Sequence, residues 1–164
     1  MERKKTSSKK GLKDLKNYLK IKSEKEEKNI KPKAWSNLEI SDFFKEIIAP
    51  AFKTIKTEML EFDFERIDYD LYTKKAVLKV IETLTHFIFK VEVDNTRREV
   101  SIFYLIKHRK KNRARLFDIE FPEYEKISFN EIGKVNQDFI ISLFTEWFIK
   151  KDELIEKFDN MQEE

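Results

Sequence analysis

The stretch "HFIFKVEVDNTRREVSIFYLI", residues 86–106, decides the fold. Its first half carries apolar side chains at every second position, namely Phe87, Phe89, Val91 and Val93. Successive side chains of a strand point to opposite faces, so this pattern predicts a strand with one buried face. Residues 94–99, "DNTRRE", predict a tight turn, and residues 100–106 are apolar on both faces, as in a central strand. The stretch therefore predicts an antiparallel hairpin at the centre of a sheet.

Similar segments extend this hairpin on both sides. "EFDFERIDYDLY" (61–72) and "KKAVLKVIETL" (74–84) precede it, and "RLFDIEF" (115–121) follows it. The short connections favour antiparallel pairing, because a parallel crossover needs a dozen or more residues. The sequence therefore predicts an antiparallel β-meander of four to five strands.

A segment with helical periodicity precedes the predicted sheet. Residues 35–60 place apolar side chains on one helical face and begin with a capping-box pair, Ser36 and Glu39. Pro50 lies inside this segment and lacks a backbone donor, so it predicts a kink or a break near residues 48–50.

A longer helical segment follows the sheet, at residues 128–158. It begins with a second capping-box pattern, Ser128 and Glu131, and Lys150 with Lys151 indicates a polar break or an exposed extension. Two amphipathic helices can cover one face of a sheet. We therefore predict a two-layer α+β domain over residues 35–160, with the meander flanked by an N-terminal and a long C-terminal α-helix.

The net charge of +3 conceals an uneven distribution along the chain. Residues 1–34 hold 13 Lys or Arg against 5 Asp or Glu, which leaves 21 against 26 for the remaining 130 residues. We expect residues 1–34 to be a flexible basic arm with a short amphipathic helix at 9–21. Its candidate nucleic-acid contacts are Lys9, Lys10, Lys13 and Lys16.

A second basic segment, "IKHRKKNRARL", occupies residues 106–116. If residues 100–106 and 115–121 pair as neighbouring strands, these cations crowd the hairpin between them. Such a hairpin suits either solvent or the phosphates of a nucleic acid. The candidate contacts are Lys107, Arg109, Lys110, Lys111, Arg113 and Arg115.

The composition argues against several other kinds of site. The chain has two glycines, Gly11 and Gly133, too few for a glycine loop that cradles phosphate. It has no cysteine, so thiolate sites for zinc are absent. We assign no catalytic residue, metal or cofactor, and we expect His86 and His108 to be surface histidines. No signal peptide or membrane span is apparent, so we expect a cytoplasmic protein without a membrane partner.

Three functional hypotheses follow. The first is a non-enzymatic module that contacts DNA or RNA without sequence specificity, through the basic arm and the basic hairpin. The second is a protein-interaction domain that binds an acidic partner or forms a homodimer through Trp147 and Phe148. The third is a divalent-metal nuclease, which would use acids near residues 63–70; on an antiparallel sheet such acids also suit a solvated face.

Overall fold

The computed structural model describes residues 11–22, 31–109, 116–119 and 123–162. These residues fall into two units, within Met1–Pro32 and within Lys33–Glu164. In the first unit, residues 11–22 form helix α1, close to the amphipathic helix predicted at 9–21. The leucines at helical spacing on α1, Leu12, Leu15 and Leu19, are each more than half exposed. The following paragraphs describe the second unit.

The second unit begins with a continuous helical segment in three parts. Helix α2 spans Asn37–Phe43, a π-helical turn spans Phe44–Ile48, and helix α3 spans Ala49–Met59. The predicted capping box is present, because the Ser36 hydroxyl accepts from the Glu39 amide at 3.1 Å and the Glu39 carboxylate accepts from the Ser36 amide at 3.2 Å. Such a cap contributes about 1 kcal/mol to helix stability.

The change of helical geometry occurs where Pro50 predicts an interruption. Pro50 lies in the first turn of α3, just after the π-helical turn. It cannot donate to the carbonyl of Glu46, four residues earlier. The Gln137 side-chain amide donates to that carbonyl instead, at 3.3 Å. A residue 91 positions from Glu46 thus provides a donor where Pro50 has none.

Six strands follow, in one antiparallel sheet. They are β1 (Arg66–Leu71), β2 (Lys75–Ile81), β3 (Thr85–Asp94), β4 (Glu99–Arg109), β5 (Leu116–Ile119) and β6 (Tyr124–Ser128). The order is β1-β2-β3-β4-β5, as expected for a meander, and β4 is an inner strand with neighbours on both sides. In the hairpin of residues 86–106, Phe87 faces Ile106 and Phe89 faces Tyr104.

Strand β6 was missed by the sequence analysis. It pairs with β4 on the same side as β5, so that β5 faces the second half of β4 and β6 faces the first half. Ile106 faces Ile119, whereas Phe103 faces Tyr124. Four residues lie between Ile119 and Tyr124, whereas two lie between their partners on β4, Ile106 and Phe103. The chain between β5 and β6 is therefore two residues longer than the stretch of β4 that it faces. This change of register hides β6 from a search for one regular strand.

The C-terminal helix begins later than the sequence predicts. The Ser128 hydroxyl accepts from the Asn130 amide, and Phe129–Lys134 form a 3₁₀ helix instead of the first α-helical turns. Helix α4 spans Gln137–Gln162 and is capped by Asn136, whose side-chain oxygen accepts from the Phe139 amide at 2.8 Å. The 3₁₀ helix lets Phe129 stack on Trp35, with ring centroids 4.1 Å apart.

The helices cover one face of the sheet, which confirms the two-layer α+β fold. Phe89 lies at the centre of the core and is fully buried. Its ring contacts Phe52 of α3 at 6.0 Å, Phe144 of α4 at 5.5 Å and Trp147 of α4 at 5.8 Å, measured between ring centroids. None of the helices in the described ranges combines the length and the apolar character needed to cross a bilayer.

Candidate nucleic-acid interface

The sheet face turned away from the helices carries a row of cations on its inner strands. We call it the open face. Lys79 of β2, Lys90 of β3 and Lys107 of β4 occupy this face, since they alternate with the buried core residues of their strands. In register, Lys79 pairs with Ile88, Lys90 with Phe103, and Lys107 with His86. Lys79 is therefore offset from Lys90 by two positions along the strands, and Lys107 by four, which is roughly 13 Å. The three cations are spread over the open face.

These cations keep their charge available. Among the residues that the structure describes, Lys79, Lys90, Lys107 and Arg109 have no ion-pair partner. Arg109 ends β4 and leads into the basic hairpin. The open face therefore presents positive charge beside the segment that the sequence identified.

The open face also carries acids: Asp68 and Asp70 on the edge strand β1, Glu92 on β3, and Asp118 on β5, which faces Lys107 in register. Asp68 accepts from the Arg66 guanidinium and lies 3.7 Å from the Lys56 ammonium. The hydrogen bond from Arg66 is the main reason that the pKa of Asp68 falls below its ordinary value. A hollow of about 210 Å³ lies beside this pair, lined in part by Asp70, Lys79 and Lys107. Lys79 thus faces a carboxylate that already has two cationic partners, whereas Lys107 faces Asp118.

Aromatic side chains accompany the lysines on the open face. The Phe103 and Tyr124 rings lie 5.5 Å apart, with 37° between their planes. The Lys90 ammonium lies 5.9 Å from the Phe103 centroid, and Tyr124 is 56% exposed. At the β1–β2 turn the Lys75 ammonium lies 5.0 Å from the ring of Tyr72. Sequence analysis missed this group, although the two apolar faces of residues 100–106 indicated Phe103.

The described part of the chain includes four of the ten predicted contact residues. Lys107 and Arg109 lie at the end of β4, and Lys13 and Lys16 lie on helix α1. The other six lie outside the described residues: Lys9, Lys10, Lys110, Lys111, Arg113 and Arg115.

His108 is not a surface histidine, contrary to the sequence-based expectation. It is 5% exposed, and its Nδ1 lies 2.8 Å from the Thr85 hydroxyl while its Nε2 lies 3.1 Å from a carboxylate oxygen of Asp159. A carboxylate only accepts, so Nε2 carries a hydrogen, and a neutral ring then accepts the Thr85 hydroxyl at Nδ1. Hydrolase triads also join a hydroxyl, an imidazole and a carboxylate, but with the hydroxyl on Nε2 and the carboxylate on Nδ1, the reverse of the arrangement here. Here Thr85 and His108 are both buried, which suits a structural tie between β3, β4 and α4.

Lys151 is also buried, so the polar break or exposed extension that the sequence predicted at Lys150 and Lys151 is wrong for this residue. It is 2% exposed, and helix α4 continues through it. Its ammonium lies 3.2 Å from Glu82, 2.9 Å from Asp152 and 4.0 Å from the centroid of Phe148. A buried ammonium needs such partners, because removing it from water without them costs several kcal/mol.

A cleft of about 540 Å³ opens beside His108 and is lined by carboxylates. Asp63, Glu65, Glu82 and Asp152 contribute them. Glu82 and Asp152 share the Lys151 ammonium, which leaves Asp63 and Glu65 as the cleft carboxylates with no ion-pair partner among the described residues.

The acids considered for a nuclease are divided between two surfaces. Asp63 and Glu65 line the cleft, whereas Asp68 and Asp70 line the hollow of the open face. Within the described ranges, no group of three His, Cys, Asp or Glu side chains is arranged to hold a metal ion. The carboxylate of Asp68 is instead paired with the side chains of Arg66 and Lys56, whereas a nuclease site would need it to bind a metal ion.

The aromatic residues considered for a dimer belong to the core. Trp147 is 4% exposed and its ring lies 5.0 Å from that of Tyr104. Phe148 packs on Phe64, Phe87 and Phe144. These side chains stabilise the chain itself.

Comparison with protein-family models, curated proteins and solved structures gives no match. The class of the protein is therefore given by its own structure, a two-layer α+β domain whose antiparallel sheet leaves one face open.

Proposed function

We propose that this chain is a non-enzymatic binding module that contacts DNA or RNA through phosphates. The basic arm (residues 1–34), the basic hairpin (residues 106–116) and the cations of the open face supply the contacts. The observation that carries the proposal is that Lys79, Lys90, Lys107 and Arg109 have no ion-pair partner among the described residues. We also propose that the protein is cytoplasmic.

The physical basis is counterion release. A phosphate chain holds condensed cations, and each unpaired Lys or Arg that replaces one releases it into solution. A side chain already paired with a carboxylate gains less, because the pair must first be broken. Lys107 and Arg109 follow one another on the same face of β4 and lead into four further cations in the sequence. This arrangement supports binding without base-specific contacts.

The test is a salt titration of binding to labelled nucleic acid. We expect affinity to fall as salt rises, and the double variant Lys79→Gln, Lys107→Gln to reduce the slope of log K against log salt by about 0.9 for each duplex phosphate that is no longer neutralised. The matched control is Lys45→Gln, Lys53→Gln, which removes the same charge from exposed positions on the helical layer. Negligible binding at about 50 mM salt, or equal effects of the two double variants, would overturn the proposal.

A second candidate function is protein interaction, supported by helix α1. Leu12, Leu15 and Leu19 are 57%, 51% and 51% exposed and share one helical face. Such a face can bind in the groove of an acidic partner or of a second copy. Sedimentation equilibrium over a range of concentrations tests self-association, and Leu15→Asp should abolish it. A monomer at every concentration that also recovers no acidic protein partner counts against this function.

A further inference from the structure

We infer that the open face is a platform for single strands, on which bases stack against Phe103 and Tyr124 while lysines contact the phosphates. The inference rests on the proposed function and names the ligand of the same face. The platform is a band that crosses the strands of the sheet, formed by Tyr72, Lys75, Lys90, Phe103 and Tyr124.

The first argument is the chemistry of the band. A base presents a flat π surface in a single strand, whereas in a duplex the neighbouring base pairs cover it. Exposed aromatic rings beside cations are the groups that bind single strands without sequence preference. Tyr124, which is more than half exposed, the half-buried Phe103 ring beside it and the Lys90 ammonium form such a group.

The second argument is the geometry of the band. Lys75, Lys90, Phe103 and Tyr124 lie on the successive neighbours β2, β3, β4 and β6. Three inter-strand steps of roughly 4.8 Å give about 14 Å, and Tyr72 extends the band beyond β2. A strand of a few nucleotides can therefore contact the rings at both ends. Glu92 faces Lys75 in register and is the carboxylate that a phosphate path must avoid.

The third argument is the exposure of the rings. Tyr124 is 56% exposed and Tyr72 is 52% exposed, while the aromatic residues of the sheet's inner strands other than Phe103 pack in the core on the opposite face. The core does not need these two rings. Covering them with a base would remove apolar surface from water without rearranging the fold.

The experiment compares single strands with duplex in the full chain. The probes are labelled oligothymidine, labelled oligouridine and a labelled duplex, each of about 20 nucleotides per strand. We expect tighter binding of the single strands, with oligothymidine and oligouridine distinguishing DNA from RNA. Phe103→Ala or Tyr124→Ala should weaken single-strand binding by about 5- to 150-fold and leave duplex binding within about twofold. Phe62→Ala, at a 68% exposed ring outside the sheet, is the matched control and should change neither.

A spectroscopic variant separates stacking from a merely structural role. Phe103→Trp preserves an aromatic surface and adds an indole on the open face, whereas Trp147 is buried in the core and Trp35 stacks on Phe129. We expect single strands to bind this variant with wild-type affinity and to quench the added fluorescence. Binding without any change in that fluorescence would overturn the platform.

The outcomes distinguish the platform from the proposed function. Equal binding of duplex and single strands, unchanged in Phe103→Ala and Tyr124→Ala, overturns the platform and leaves phosphate binding intact. Absence of binding to every probe at low salt overturns both. Self-association that Tyr124→Ala abolishes, without oligonucleotide binding, assigns the band to a second copy of the chain and also overturns the platform.

Discussion

At the scale of single residues, several polar groups of this domain are paired across long distances in the sequence. His108 joins Thr85 of β3, 23 residues away, to Asp159 of α4, 51 residues away. Tyr104 donates to Glu123 at 3.1 Å, and Glu123 also accepts from Lys150 of α4. Each of these contacts fastens the long helix or the loop before β6 to the centre of the sheet. Their removal should therefore cost stability.

Thr85→Val tests the tie at His108. Valine keeps the shape of threonine but leaves the buried Nδ1 without its hydroxyl partner, so we expect the free energy of unfolding to fall by about 1–3 kcal/mol. Thr83→Val makes the same change at an exposed position in the β2–β3 turn and should alter stability by less than about 0.5 kcal/mol. Urea unfolding of the two variants measures the difference. Equal effects would show that the Thr85 hydroxyl does not satisfy His108.

Tyr104→Phe tests the pair with Glu123 through its dependence on pH. Burial, and secondarily the hydrogen bond to Glu123, raises the pKa of Tyr104 well above its ordinary value. The unfolded chain releases this proton near pH 10 while the folded chain retains it, so stability is fully present below about pH 10 and is lost above it. Above pH 10, the free energy of unfolding of the wild type should fall more steeply than that of Tyr104→Phe, by up to about 1.4 kcal/mol per pH unit.

Unfolding of the wild type and Tyr104→Phe at about pH 8 and about pH 11 measures this loss. At the lower pH the variant should be less stable by roughly 0.5–1.5 kcal/mol, because it lacks the hydrogen bond. At the higher pH the gap should narrow or reverse. Parallel profiles would mean that Tyr104 ionises alike in both states.

At the scale of elements, the turn between β3 and β4 fixes the central hairpin. The Asp94 carboxylate accepts from the amides of Thr96 and Arg97 at 3.0 and 2.9 Å, and so closes the turn. Arg98 then adopts a left-handed backbone, with φ of 54°, and its Nε is buried without a hydrogen-bond partner among the described groups. Its carbonyl accepts from the Phe129 amide at 3.0 Å, which holds the strained residue in place.

Arg98→Gly should therefore stabilise the domain. Glycine adopts positive φ without the clash of a Cβ atom, so we expect the free energy of unfolding to rise by roughly 0.5–1 kcal/mol. Arg97→Gly changes the neighbouring residue, whose φ is not positive, and should lower stability by a similar amount. Thermal unfolding of both variants gives the comparison. Destabilisation by Arg98→Gly would indicate that the arginine side chain contributes more than its backbone costs.

At the scale of the whole molecule, charge and core are segregated along the chain. Residues 1–34 hold 13 cations against 5 anions, whereas the hydrophobic core is formed by residues of Lys33–Glu164. Within that unit, the open face carries unpaired lysines and the cleft beside His108 carries carboxylates. Under the proposed function, the arm and the open face are the parts of the protein that attract a polyanion.

Removing residues 1–34 should weaken nucleic-acid binding without changing the melting temperature of the domain. Each phosphate that the arm no longer neutralises reduces the salt slope by about 0.9 on duplex or about 0.7 on single strands. The melting temperature should persist because the core residues all remain. Fluorescence anisotropy at several salt concentrations and differential scanning calorimetry provide the two readouts. An unchanged salt slope would show that the arm does not bind phosphates.

The sequence by itself determined the elements whose pattern is local. The alternation in residues 86–106 predicted the hairpin of β3 and β4, and Ser36 with Glu39 predicted the start of α2, because backbone geometry decides which nearby side chains share a face. It also proposed Lys107 and Arg109 among ten candidate contact residues, and their role stays a prediction. Pro50 marked the place where the helical hydrogen bonding changes.

Only the tertiary structure decided what depends on residues far apart in the chain. Strand β6, the late start of α4 and the burial of His108 and Lys151 follow from partners that no local pattern specifies. The group of Lys90, Phe103 and Tyr124 forms because two registers bring three strands together. Local preferences select helix or strand, but the burial of polar groups and the composition of a surface are set by packing between distant segments, because a buried charge or donor is stable only where a partner meets it.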